Sequence, residues 1–199
     1  MILSRHYCPA PSCMASRSSL MTGRHQGHCA RRNTQFDAEI PDAHTLGSVM
    51  SKAGYATAAI GKWGMAGGPY QLSIKPVRGD RSAKTNPSHP TLRGFDYFYD
   101  YTAHRDAHYH YPKLGNRPLY DGFVDVTDRL AKCYSTDLLT ARAKKWIADH
   151  HKAHPKKPFF TYLCYTAPHS GLRIPTTSHL TAKSNYPIGG GLSGGVQWL

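Results

Sequence analysis

Cys13 with Arg17, and Lys62 and His169 each just beyond a predicted strand, are candidates for work on an anion. Cys13 opens the segment Cys13-Met14-Ala15-Ser16-Arg17, which runs on towards Leu20, Met21 and Gly23. A cysteine just ahead of a short helix lies where free backbone N–H groups and the helix dipole favour negative charge. Arg17, four positions on, returns over that site as a planar, multi-donor partner for an oxyanion. The bland reading is a structural thiol beside a surface arginine, and composition alone favours it. Lys62 and His169, taken singly, read as a surface lysine and a loop histidine. His104, His108 and His110, with Asp106, suggest zinc but lack the tight pairing of a zinc ligand set. They read better as loop residues, with His108 at a substrate rim. Cys8, Cys13 and Cys29 contain no Cys-x-x-Cys pair and fail as zinc ligands in the same way.

Such groups need a scaffold, and alternating helical and strand patterns predict the α/β class. Ser16 is expected to cap a short helix through Leu20 and Met21, stopped by Gly23. Thr45 is expected to cap a second, with Leu46, Val49, Met50 and Ala53 as its apolar stripe and Gly54 as its end. Tyr55 to Ile60 reads as a short buried strand running into Gly61-Lys62-Trp63. From Met65 to about Thr91, glycine, proline and charge predict surface loop. The aromatic run Phe95 to Tyr101 follows, and then the histidine-rich patch. A longer helix is expected from Ser135, capped by Ser135 or Thr136, with Asp137 in its first turn and Leu139, Ala143, Trp146 and Ile147 on one face. Beyond Pro155-Lys156-Lys157-Pro158, Phe159 to Tyr165 reads as a buried strand ending in the loop Thr166-Ala167-Pro168-His169. Ligands gather at the carboxyl ends of strands in open α/β sheets, so Lys62 and His169 are expected to face one crevice. Glycine enrichment from Gly189 to Gly195 predicts a flexible tail over 189–199.

With 199 residues, 40% of them hydrophobic, the chain has material for one ordinary domain and is no candidate for intrinsic disorder. A formal charge of +13 implies attraction to polyanions. The basic residues are scattered, with pairs such as Arg31-Arg32, Lys144-Lys145 and Lys156-Lys157 but no long run. General polyanion attraction is therefore favoured over a dedicated nucleic-acid surface. Five cysteines cannot all pair within one chain, and Cys164 sits in an apolar run as a small core residue. No apolar run is long enough to span a bilayer, and Met1 to Arg5 is too short for a signal peptide.

Spacing changes the weight of the first observation. Cys13-x-Ala15-Ser16-Arg17, then four residues, then Thr22-Gly23-Arg24 resembles the sulfatase family's Cys-x-Pro/Ala-Ser-Arg with its downstream Thr-Gly-Arg. Ala53-Gly54-Tyr55-Ala56-Thr57 with Ile60-Gly61-Lys62-Trp63, then Gly94-Phe95-Asp96-Tyr97-Phe98-Tyr99, then Pro158-Phe159-Phe160 through Ala167-Pro168-His169 resemble further family blocks in order. The resemblance runs from about Tyr7 to Leu172. It implies an alkaline-phosphatase-like α/β fold, with residues 1–199 a partial sulfatase catalytic domain lacking the first strand and the C-terminal part. It implies sulfate ester hydrolysis, with Cys13 oxidised by a maturation enzyme to a formylglycine whose hydrate attacks sulfur. Arg17 would hold the formylglycine, Lys62 would grip a sulfate oxygen, and His169 would contact sulfate or assist the leaving group. His108 is a further expected substrate contact. A calcium ion is implied too, with Cys13 facing it and clustered carboxylates as its other ligands.

Several residues depart from the family pattern. Gly64 stands where many members carry histidine, and Ala15 replaces the commoner proline. The expected Asp-Asp pair has no room before Cys13, and the downstream pair is expected beyond Leu199. A truncated, inactive anion-binding protein is accordingly the first rival reading, and a basic polyanion-binding module the second. A phosphatase would place Ser or Thr at the nucleophile. The expected partners are a sulfated small molecule or a sulfated polysaccharide, not nucleic acid or membrane. The compartment is open, with a periplasmic or secreted parent implied by the resemblance.

Overall fold

The computed structural model describes residues 2, 4–33, 38–65, 67, 87–104, 110, 118–130 and 133–169. Its helices are α1 (Cys13–Thr22), α2 (Leu46–Lys52) and α3 (Ser135–Ala153), and its strands β1 (Ala56–Gly61), β2 (Tyr97–Asp100), β3 (Tyr120–Asp121), β4 (Val124–Asp125) and β5 (Phe159–Cys164). They form a five-stranded sheet in the order β4-β3-β2-β1-β5. β1 runs parallel to both β2 and β5, while β3 and β4 continue beyond β2 in antiparallel pairing.

Alternation along β1 divides the core into two layers. Ala59 joins Met14, Met21, Ile40, Trp63, Phe95 and Phe98 under α1 and α2, whereas Ala58 and Ile60 join Tyr99, Tyr101, Leu119, Leu138 and Leu139 under α3. Every residue of β1 is buried, as expected of a parallel strand covered on both faces. This is the α/β architecture anticipated from sequence.

Several local expectations need correcting. Helix α1 starts at Cys13 with Ser12 as its N-cap, so Ser16 lies inside the helix and Cys13 is its first residue. Gly23 ends it in the left-handed conformation (φ 66°), with its N–H on the Ser19 carbonyl. Thr45 does cap α2, in a reciprocal capping box with Ser48. The predicted stripe, however, leaves Val49 41% exposed, and Gly47 makes the close approach instead. A Cβ there would lie 2.6 Å from the Arg93 carbonyl and 2.7 Å from the Phe95 ring. Tyr134 is the N-cap of α3, without a side-chain cap, and the Ser135 and Thr136 hydroxyls have no hydrogen-bond partner among the described residues. β5 is an edge strand, not a buried one, with Phe159 at 42% and Leu163 at 36% exposure. The tail over 189–199, and most of the predicted loop from Met65 to Thr91, lie outside the described residues.

Candidate functional site

The parallel strands β2, β1 and β5 end side by side, and their carboxyl ends hold the candidate residues. Register pairs Gly61 of β1 with Cys164 of β5. Gly61 has φ 106°, and a Cβ on it would lie 2.1 Å from the Cys164 carbonyl, so only glycine fits. That approach lets the Lys62 N–H bond the Cys164 carbonyl at 3.0 Å and fixes where Lys62 leaves the sheet.

Lys62 is buried, and its Nζ lies 3.9 Å from the Cys13 Sγ. Arg17, one helical turn after Cys13, lies on the same side of α1. Its Nη2 donates to the Lys62 carbonyl, and its Nε donates to the Tyr162 hydroxyl at 3.4 Å. Its Nη1 is buried with no hydrogen-bond partner among the described residues. Burial works against the guanidinium charge, but Tyr162 and Cys164 outweigh it and hold Arg17 above its ordinary pKa. Burial in turn pushes the Tyr162 hydroxyl up to about 12, despite the opposing charge of Arg17. The arrangement is a half-buried thiol at a helix N-terminus between a lysine and an arginine that keeps one donor open. It suits an oxyanion held against Cys13.

His169 lies past the end of β5, the strand next to β1, in a turn closed by its N–H on the Thr166 carbonyl at 3.0 Å. The structure thus joins Cys13, Arg17 and Lys62 by direct contact and sets His169 one strand away. His108 and Asp106 lie outside the described residues. His104 and His110, read from sequence as loop residues, do lie outside helices and strands, and they are buried at 4% and 1% exposure. His104 packs on Gly64, where a Cβ would lie 3.1 Å from its Cα and 3.3 Å from its Nδ1.

Asp100 is a site neighbour that sequence reading missed. It ends β2, is buried, and adopts φ 145°, a conformation rare outside glycine. Burial raises its carboxyl to about 7, with a backbone hydrogen bond from Tyr101 and the charge of Arg17 working the other way. Its one visible signal was a charged residue between two tyrosines in an aromatic strand.

The residues around Cys13 do not fit a calcium ion. Lys62 and Arg17 bring positive charge to Cys13, and no group of three or more His, Cys, Asp or Glu among the described residues is arranged to hold a metal. Cys13 is therefore not supported as a metal ligand by its surroundings.

An α/β sheet with an anion-suited thiol at the carboxyl ends of its parallel strands defines a class that known proteins make specific. The Sulfatase family profile matches residues 1–187. The chain belongs to the sulfatase family. It is 31% identical over 180 residues to Arylsulfatase J of Mus musculus, a match covering 85% of this chain and 27% of that protein. It is 32% identical over 166 residues to the uncharacterized sulfatase YdeN of Escherichia coli (strain K12), covering 77% of this chain and 27% of that protein. The crystal structure of Ps i-CgsB in complex with k-i-k-neocarrahexaose shares the fold, with a TM-score of 0.60 at 24% identity, over 90% of this chain and 40% of that one. The chain thus spans about a quarter of the length of the two sulfatases that it matches.

Proposed function

We propose that this chain carries the nucleophile region of a sulfuric ester hydrolase, with Cys13 as the reacting position. The observation that carries the reading is the Lys62 ammonium 3.9 Å from the Cys13 sulfur, beside an arginine with an unused buried donor. Conversion of Cys13 to formylglycine by a maturation enzyme would supply a hydrated aldehyde whose hydroxyl serves as nucleophile. Arg17 would bind an oxygen at Cys13 through its open Nη1, its orientation already set by Tyr162 and the Lys62 carbonyl. Lys62 would donate to a sulfate oxygen and offset charge as it builds up. His169 would pass a proton to the departing alcohol.

The substrate class is a sulfated small molecule or a sulfated polysaccharide. The structure of Ps i-CgsB in complex with k-i-k-neocarrahexaose favours the polymer, as does the +13 charge. A second reading, anion binding without turnover, draws on the absence of a metal-holding cluster among the described residues. Hydrolysis of an aryl sulfate separates the two. Turnover that drops by about a thousandfold or more in Cys13→Ala supports the hydrolase. Sulfate binding without turnover, before and after treatment with the maturation enzyme, supports the second reading.

A further inference from the structure

Exposed positive charge lies at the end of β5 opposite Cys164. No Asp or Glu occurs after Asp149 in the whole sequence, and the stretch His150-His151-Lys152-Ala153-His154-Pro155-Lys156-Lys157 closes α3 and turns into β5. Local hydrogen bonds fold this stretch onto itself. The His154 N–H bonds the His150 carbonyl at 2.7 Å, the Lys157 N–H bonds the His154 carbonyl at 3.0 Å, and His150 Nε2 bonds the Lys157 carbonyl at 2.8 Å. Lys152, Lys156 and Lys157 are all exposed, and none is in a described ion pair, whereas Lys145 is paired with Asp149 at 2.7 Å.

Beside the lysines runs a ladder of rings. Tyr97 stacks on Trp146, Trp146 stacks on His150 at 5.6 Å, and Phe159 meets both Trp146 and His150 edge-on. Phe159 is 42% exposed. Core packing under α3 accounts for the Tyr97 and Trp146 rings, and helix-dipole compensation accounts only for the basic residues of the last turn of α3. It does not account for Lys156 and Lys157 beyond the helix or for an open aromatic ring between them and Trp146.

We propose that the face formed by Lys152, Lys156, Lys157, His150 and Phe159 is a docking surface for a sulfated polysaccharide, separate from the Cys13 site. Lysine ammonium groups would take the sulfates, and the exposed Phe159 ring would take the apolar face of a sugar. Phe159 and Cys164 are the first and last residues of β5, so the two sites are roughly 17 Å apart, several sugar units along one polymer. The choice of a sulfated sugar over nucleic acid rests on the sulfatase reading of the chain.

Calorimetry with a sulfated galactan hexasaccharide tests the surface, with its desulfated counterpart and a single-stranded oligonucleotide as comparisons. The wild-type chain is expected to bind the sulfated sugar, and its affinity to fall about tenfold between 50 and 200 mM salt. Lys152→Ala/Lys156→Ala/Lys157→Ala is expected to lose about tenfold at low salt and most of the salt dependence, since these exposed changes leave the core intact. Phe159→Ser is expected to weaken binding several-fold without changing the salt slope. Equal binding by the triple variant, equal binding of the desulfated sugar, or tighter binding of the oligonucleotide overturns the proposal. An aryl-sulfate assay on the same preparations reads the Cys13 site alone, so loss of one result leaves the other standing.

Discussion

Asp100 shows how one residue couples stability to the site. Its carboxyl stands near 7 in the folded chain against 3.8 ordinarily, chiefly through burial. The folded state therefore keeps a proton that the unfolded state has already released at neutral pH. Stability falls as pH rises from about 4 to about 7 and is level beyond. Asp100→Asn removes the ionisation while keeping the size and shape of the side chain. Relative to wild type it is expected to gain stability progressively across that window, reaching the order of 4 kcal/mol at pH 8. Thermal unfolding at several pH values checks this, and a difference that stays constant with pH would contradict it. At Arg17, replacement by lysine keeps the charge but loses the fork that spans Tyr162 and the Lys62 carbonyl. Inorganic sulfate is expected to bind Arg17→Lys about tenfold more weakly, measured by calorimetry.

At the scale of elements, α2 depends on two small contacts. Thr45→Ala removes a capping box and a hydroxyl bonded to the Arg93 carbonyl at 2.5 Å, and is expected to cost about 1–2 kcal/mol by denaturant unfolding. Gly47→Ala is expected to cost a similar amount or more, because the Arg93 backbone leaves no room. The contrast explains what the sequence made legible. Thr45, Gly23 and the strand Ala56–Gly61 carry local chemistry or a pattern that decides their conformation, and they were readable. Gly47 is a long-range contact and leaves no local trace. The exposure of β5 was equally hidden, since an apolar run looks the same at a sheet edge as inside it. At the site, Cys13, Arg17 and Lys62 were legible through motif spacing, whereas Asp100 and the burial of His104 and His110 depend on how distant segments meet.

Across the whole molecule, the sheet carries its parallel strands at one side and leaves β5 at the edge, with Phe159, Leu163 and Tyr165 all exposed. An apolar edge strand invites pairing with another chain. The isolated chain is expected to associate as its concentration rises, and Leu163→Lys to reduce that association in sedimentation velocity. The same sheet holds the Cys13 site at one end of β5 and the basic, aromatic face at the other, the arrangement on which the proposed docking of a sulfated polysaccharide rests.

The chemical state of Cys13 decides whether this region supplies a nucleophile. Mass spectrometry of the peptide that spans His6 to Arg17, from chain produced together with a formylglycine-generating enzyme, reads it directly. The predicted result is a peptide in which the thiol has been replaced by an aldehyde, reactive towards hydrazide probes and absent from Cys13→Ala. A cysteine that stays entirely a thiol after such treatment would contradict it.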